Sequence, residues 1–220
     1  TPREGEYALR TEDIIKAIEH SDELAMVIFG GVQYYTGQFF DIKKITEAGH
    51  KAGAVVGFDL AHAIGNVDLH LHRHNVDFAV WCSYKYLNAG PGGIAGAFIH
   101  EKHFNRDDFQ RFAGWWGYNE KERFSMRKGF KPLPGIDGWQ VSNVPVLQAA
   151  AHLASLEIFQ QAGMKMLRKK SILLTGYLEY LLKEIDPSEK SFTIITPRNP
   201  EERGCQLSVF LKKNGKKIFD

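Results

Sequence analysis

Apolar positions along this chain alternate between helical stripes and short continuous runs. From Thr11 onward, Ile14, Ile15 and Ile18 recur at helical spacing; Thr11 stands where a cap belongs, and Glu12 and Asp13 occupy the first turn, where the helix dipole favours acids. Leu24 to Phe29 is an unbroken apolar run that predicts a buried strand. Asp41 then precedes a second stripe through Ile42, Ile45 and Ala48 that stops near Gly53, and Ala54 to Asp59 predicts the next buried strand. Phe78 to Cys82 predicts another. Further on, Pro145 to Gly163 carries apolar residues at helical spacing, with Pro145 suited to a first turn. A long helix is predicted from about Met164 to Lys183, followed by strands in Phe192 to Thr196 and Cys205 to Leu211.

Near-continuous apolar strands separated by helices imply an α/β fold, a mostly parallel sheet with helices on both faces. The change from alanine-rich helix to the charged run Leu167 to Ser171 marks passage into the start of a small α+β domain, so residues 1–164 are assigned to a large domain and 165–220 to the smaller one. Both ends read as cut: the chain opens in a polar connection, and it stops just after a turn signal at Asn214-Gly215. In sheets of this kind the ligand site lies beyond the carboxyl ends of the strands. Asp59 and the segment Ser83 to Lys85 both follow a strand directly, which is the reason to consider them together.

Lys85 is unusual in its setting. It follows an apolar run, stands between Tyr84 and Tyr86, and leads at once into Asn88, Gly90, Gly92, Gly93 and Gly96. Lysine is strongly hydrated, whereas glycine permits close backbone approach, so a partly buried lysine beside such a bend suggests a nucleophile.

Composition narrows the chemistry. With 220 residues, 44% of them apolar and 25% charged, the chain is an ordinary globular one. A net charge of +2 and scattered basic residues give no electrostatic case for nucleic acid or an anionic membrane, and small substrates fit better. No apolar run approaches the ~20 residues that cross a bilayer. Cys82 and Cys205 lie far apart and read as buried free thiols in a reducing compartment, which places the protein in the cytoplasm.

A strand-end aspartate, a nearby histidine (His62) and a loop lysine are the groups that pyridoxal phosphate requires. The lysine bonds the aldehyde, and a carboxylate paired with the pyridine nitrogen keeps it protonated, so that the ring accepts carbanion electrons. Asp59 suits the second role; His62 could stack on or hydrogen-bond the ring, and Tyr84 could reach the phosphate.

At these residues the sequence resembles the kynureninases, fold-type I pyridoxal phosphate enzymes. Gly57 to Asn66 (GFDLAHAIGN) and Trp81 to His103 carry the resemblance, and VQYYTGQFFDI, GWWGY, VSNVPV, LASLEIF, LRKKSILLTGYLEYL and EERGCQL extend it over nearly the whole chain. The resemblance implies an aspartate aminotransferase-like fold, a homodimer with shared active sites, and hydrolysis of L-kynurenine or 3-hydroxykynurenine to L-alanine and anthranilate or 3-hydroxyanthranilate. By position, Lys85 resembles the Schiff-base lysine and proton-transfer base, and Asp59 the partner of the pyridine nitrogen. His62 and Tyr84 match further cofactor contacts. Tyr35 resembles a tyrosine near the phosphate that also acts as an acid, while Trp115 and Asn143 resemble residues lent by the neighbouring subunit. Gly30 departs from the pattern, since a serine-like phosphate contact is expected there and only backbone N–H could replace it. The resemblance also implies that a phosphate loop and a stacking aromatic precede Thr1, that a substrate-gripping arginine follows Asp220, and that this chain alone is inactive.

Simpler readings exist for the same residues. A lone lysine after a strand is usually solvated, and Asp59 could cap a helix. His70, His72 and His74 invite a metal site, but no cysteine or carboxylate completes it at ligand spacing, so a solvated face is expected. A cysteine desulfurase would share the lysine and aspartate, yet it needs a mobile thiol, and Cys82 falls in a strand. A non-catalytic dimerising relative is the remaining alternative, and cofactor binding separates the two.

Overall fold

The computed structural model describes residues 1–104, 106, 108–213 and 215. The expected turn at Asn214-Gly215 falls partly outside the described residues. Four strands, β1 (Met26–Gly30), β2 (Val55–Asp59), β3 (Phe78–Cys82) and β4 (Ala95–Ile99), form one sheet in the order β1-β2-β3-β4. β1 and β2 pair in parallel with Gly30 beside Asp59, β2 and β3 are parallel with Asp59 beside Val80, and β4 returns antiparallel to β3. The mostly parallel α/β sheet expected from the apolar runs is therefore present, with one antiparallel edge. β4 escapes a pattern reading because its AGAFI is short and rich in small residues. Gly96 has a packing reason: a Cβ there would lie 2.4 Å from Trp81 Nε1.

Helices α1 (Thr11–Glu19) and α2 (Ile42–Lys51) cover one face. Ile14, Ile18, Ile42, Ile45 and Ala48 pack there with Val27, Val56, Phe58 and Ala79 in a single core. α2 lies so close that a Cβ on Gly49 would sit 2.4 Å from Val56 Cγ2. Burial of aliphatic side chains at ~25 cal/mol per Å² is what holds these layers together. On the opposite face Met26 is 48% exposed, Ile28 64% and Val80 48%.

Several boundaries differ from the sequence reading. Arg10, rather than Thr11, is the N-cap of α1: its carbonyl accepts from Asp13 and Ile14, and Gln38 fixes the preceding backbone by bonding both Leu9 N (2.9 Å) and Leu9 O (2.6 Å). Asp41 caps α2 as expected, accepting from Lys44 N at 3.0 Å. β1 begins two residues later than its apolar run because its ladder starts where Met26 meets Val55.

Among the described residues between β4 and Val146 there is no α-helix or sheet strand, only short 3-10 turns at Glu101–His103, Arg123–Ser125 and Gly135–Trp139. Then come α3 (Val146–Ala162), preceded by Pro145 as N-cap, and α4 (Met164–Ile185). β5 (Phe192–Ile194) and β6 (Val209–Leu211) pair antiparallel. Both are shorter than their apolar runs. Residues 205–208, expected to be strand, are irregular and return to the carboxyl end of the main sheet.

Candidate active site

The turn after β3 explains the glycine-rich stretch. Asn88 N donates to Lys85 O at 3.2 Å and Ala89 N to Ser83 O at 3.1 Å, closing a tight loop around Lys85. Asn88 takes φ +56°, and Gly90 and Gly92 take φ +81° and +74°, values that glycine adopts without strain. The hydroxyl of the fully buried Ser83 donates to Ile94 O, and a Cβ on Gly93 would come within 2.8 Å of Ser83 Oγ. The glycines thus bring the chain back beneath the lysine to start β4.

Lys85 Nζ lies 3.0 Å from His62 Nε2 and 5.9 Å from the centre of the Tyr84 ring. An ammonium only donates, so Nε2 accepts and the ring proton sits on Nδ1, which is buried without a partner among the described residues. Burial, with the Lys85 charge second, holds the His62 pKa below the usual histidine value and favours the neutral ring. Asp59, at the end of β2, accepts from Ala61 N at 2.8 Å through Oδ1. The Tyr84 hydroxyl meets the Cys82 thiol, which raises its pKa.

Asp59, Tyr84 and Lys85 line a cavity of about 760 Å³ on the open face of the sheet. Val80, Ala97, Ile136, Trp139 and Val144 give it apolar walls, with Gln140 at the rim. A second pocket of about 260 Å³ joins Asp59 and His62 to Gly30 and Tyr34. A larger groove of about 1350 Å³ between α2 and α4 contains neither Lys85 nor Asp59, so size alone does not identify the reactive site.

Of the residues singled out from the sequence, Lys85, Asp59, His62, Tyr84 and Gly30 are brought together. Space at Gly30 is open, the nearest atom to an added Cβ being Val32 O at 3.9 Å. Tyr35 lines neither pocket; Tyr34 does, with its ring 6.2 Å from that of His62. Trp115 and Asn143 also line neither, and Trp115 instead packs edge-on against Phe124. Ile136, Trp139, Gln140 and Val144 were not foreseen, because no periodic pattern marks an irregular connection that folds over a sheet. Both thiols are half-buried rather than buried: Cys82 lines the cavity, and Cys205 meets the Tyr86 hydroxyl, whose pKa burial and this thiol push up to about 12. His72 stacks on His100 with ring centres 4.7 Å apart and bonds Glu101.

A lysine amine and a strand-end carboxylate on one cavity, beyond the carboxyl ends of a mostly parallel sheet, define an α/β domain of the aminotransferase-like class. The family Aminotransferase class-V matches residues 2–214, and the chain belongs to that family. It is 58% identical over 220 residues to a kynureninase of Flavobacterium psychrophilum, covering 99% of this chain and 52% of that protein. It is 54% identical over 225 residues to the kynureninase of Homo sapiens, covering 99% and 48%. The chain thus spans about half the length of the curated relatives it matches. Among solved structures, a C-DES mutant with glycine covalently linked to the PLP cofactor superposes with a TM-score of 0.75 at 19% identity, over 97% of this chain and 54% of that one. The apo cysteine desulfurase of Thermococcus onnurineus NA1 superposes at 0.68 with 18% identity, over 96% and 48%. Likeness at that identity concerns the fold.

Proposed function

We propose that this chain carries the lysine side of the active site of a pyridoxal-phosphate-dependent hydrolase that cleaves L-kynurenine, or its 3-hydroxy form, to L-alanine and anthranilate or 3-hydroxyanthranilate. The contact of Lys85 Nζ with His62 Nε2 at 3.0 Å, beside the aspartate at the end of β2, is the observation that carries the reading. Kynureninase relatives at 54–58% identity over nearly the whole chain support the substrate.

The residues present fit the cofactor. His62 Nδ1 is a buried donor without a partner among the described residues, suited to a cofactor oxygen. Asp59 offers a carboxylate to a pyridine nitrogen, and the apolar walls of the larger cavity suit an aromatic ring. When bound, pyridoxal phosphate supplies an aldehyde for amines and a protonated ring that takes up carbanion electrons. Asp59 keeps the nitrogen proton in place. Lys85 Nζ, once released by the incoming amino acid, is the base that moves the proton at the substrate α-carbon. Val80, Ile136 and Trp139 give the cavity an apolar lining for the aromatic side chain of the substrate, and the reaction takes up one water at the side-chain ketone.

In this reading residues 1–164 belong to the large domain and 165–220 begin the smaller one. Trp115 and Asn143 serve the site of a second copy in a homodimer, and Tyr35 acts near the phosphate. The exposed Phe112 and Phe124 of the same connection support that interface. Two thiols outside any disulfide fit a cytoplasmic protein. The test is borohydride reduction of the full-length protein loaded with pyridoxal phosphate, followed by peptide mass mapping. A pyridoxyl label on Lys85 together with kynurenine turnover is expected. A folded protein without the label leaves the non-catalytic relative, and sulfur release from cysteine in place of kynurenine cleavage reassigns the enzyme.

A further inference from the structure

His62 meets the lysine amine, yet it sits on a short turn rather than a regular element. What fixes that turn is Asn66. Its side chain is 4% exposed; Nδ2 donates to His62 O at 2.9 Å, and Oδ1 accepts from Cys205 N at 2.9 Å, across 139 positions of sequence. Both ends of one carboxamide are used, and a buried amide left half-bonded is destabilising. The fit is tight from the other side as well. A Cβ on Gly204 would lie 2.5 Å from Asn66 Nδ2, and Gly204 N is itself held by Gly37 O at 3.0 Å.

The same C-terminal segment touches other parts of the site. Gln206 Nε2 donates to Tyr34 O at 2.8 Å and Tyr35 O at 3.2 Å, and the Ser208 hydroxyl donates to Tyr35 O. Cys205 stands beside Tyr86, the neighbour of Lys85, and adds to the burial that raises the pKa of its hydroxyl. A stretch of five residues next to β6 therefore braces the His62 turn, the Tyr34-Tyr35 turn and the lysine loop together. An ordinary strand would have spent these backbone groups on its own ladder.

We propose that Asn66 is a positioning residue for the active site: its carboxamide locks the turn bearing His62 to the Gly204–Ser208 segment, so that this segment sets the place of His62 against Lys85. The inference rests on the cofactor reading given above. It makes the approach of His62 to Lys85 dependent on a region that follows α4, and any movement of that region is transmitted to the lysine amine.

The experiment uses the full-length protein as wild type, Asn66→Ala and Gly204→Ala, with Asp77→Asn, a change at the far end of the sheet, as the control for general destabilisation. Three quantities are read: affinity for pyridoxal phosphate by absorbance, the pH midpoint of the bound chromophore, and the borohydride label. Asn66→Ala and Gly204→Ala are each expected to weaken affinity about tenfold and displace the midpoint by roughly half a unit, with the label still on Lys85. Asp77→Asn is expected to lose stability with neither change. Should Asn66→Ala fail to fold, the isosteric Asn66→Asp keeps the acceptor for Cys205 N and sets an oxygen against His62 O; the same displacement is expected. Folded Asn66 variants with wild-type affinity and midpoint overturn the inference alone. A folded wild type that takes no label on Lys85 overturns the cofactor reading, and the inference with it.

Discussion

The two ends of the main sheet carry the same kinds of side chain and use them in opposite ways. At the amino end, Asp77 precedes β3 with its side chain 5% exposed and is saturated: His50 Nε2, His103 Nε2, Lys102 Nζ and Val56 N each lie 2.7 Å from its oxygens. Burial alone would raise its pKa, but the bonds from Lys102, Val56, His50 and His103 outweigh it and hold the carboxyl well below its usual range. At the carboxyl end, Asp59, His62 and Lys85 share one contact of 3.0 Å and keep capacity to spare: an exposed aspartate, a partnerless ring nitrogen and an adjoining cavity. The comparison teaches that an Asp, a Lys and a His in proximity do not make a reactive site. Unspent bonding capacity at a cavity does, and fully spent capacity in the interior serves cohesion.

The largest contrast is expected on removal of the lysines. Lys85→Ala should lower kynurenine cleavage in the full-length protein at least about a thousandfold and abolish the pyridoxyl label while leaving thermal stability near wild type. Lys102→Ala should leave the label intact. If Lys102→Ala also removes it, the division between the ends is wrong.

Next come the aspartates, given the same substitution. Asp77→Asn weakens the bonds that Lys102, His50, His103 and Val56 N make to one buried carboxylate and should cost about 2 kcal/mol in denaturant titration, with cofactor affinity unchanged. Asp59→Asn should do the reverse, lowering kcat about a hundredfold through loss of the ring-nitrogen partner, with a denaturation midpoint close to wild type.

Acid titration gives the smallest effect and separates the ends by pH. His62 has a depressed pKa in the folded chain, so the unfolded chain binds the proton first and stability begins to fall as pH drops below the ordinary histidine value of 6.5. Asp77 is also depressed, and as a carboxylate it contributes stability that is present above its ordinary 3.8 and lost as pH falls toward the folded value. Circular dichroism against pH should show a shallow first step that His62→Gln removes and a steeper second step that Asp77→Asn removes.

Much of the site was legible because it is local. Asp59 ends β2 and Lys85 follows the end of β3 by three residues, and a parallel sheet brings the ends of adjacent, in-register strands to one edge. The glycines after Lys85 are a local requirement for positive φ and close approach. Trp139, Val144 and Asn66 were not legible in this way, because their roles depend on the Gly135–Val144 stretch folding over the sheet and on Cys205 returning from the far end of the chain. An apolar run records that a strand is suited to burial and says nothing of what lies above it, so the exposure of Ile28 and Val80 was not legible either.

By itself, then, the sequence determined three of the four strands of the main sheet, the capped helix α2, the candidate pair Asp59 and Lys85, and the likeness to a family, since each is written in spacing or in contiguous residues. Only the tertiary structure decided that His62 rather than Asp59 touches the lysine amine, that Tyr34 stands nearer than Tyr35, and that one aspartate is saturated while the other is open. Those differences arise from hydrogen bonds between residues tens of positions apart, whose partners are selected by packing and leave no periodic trace along the chain.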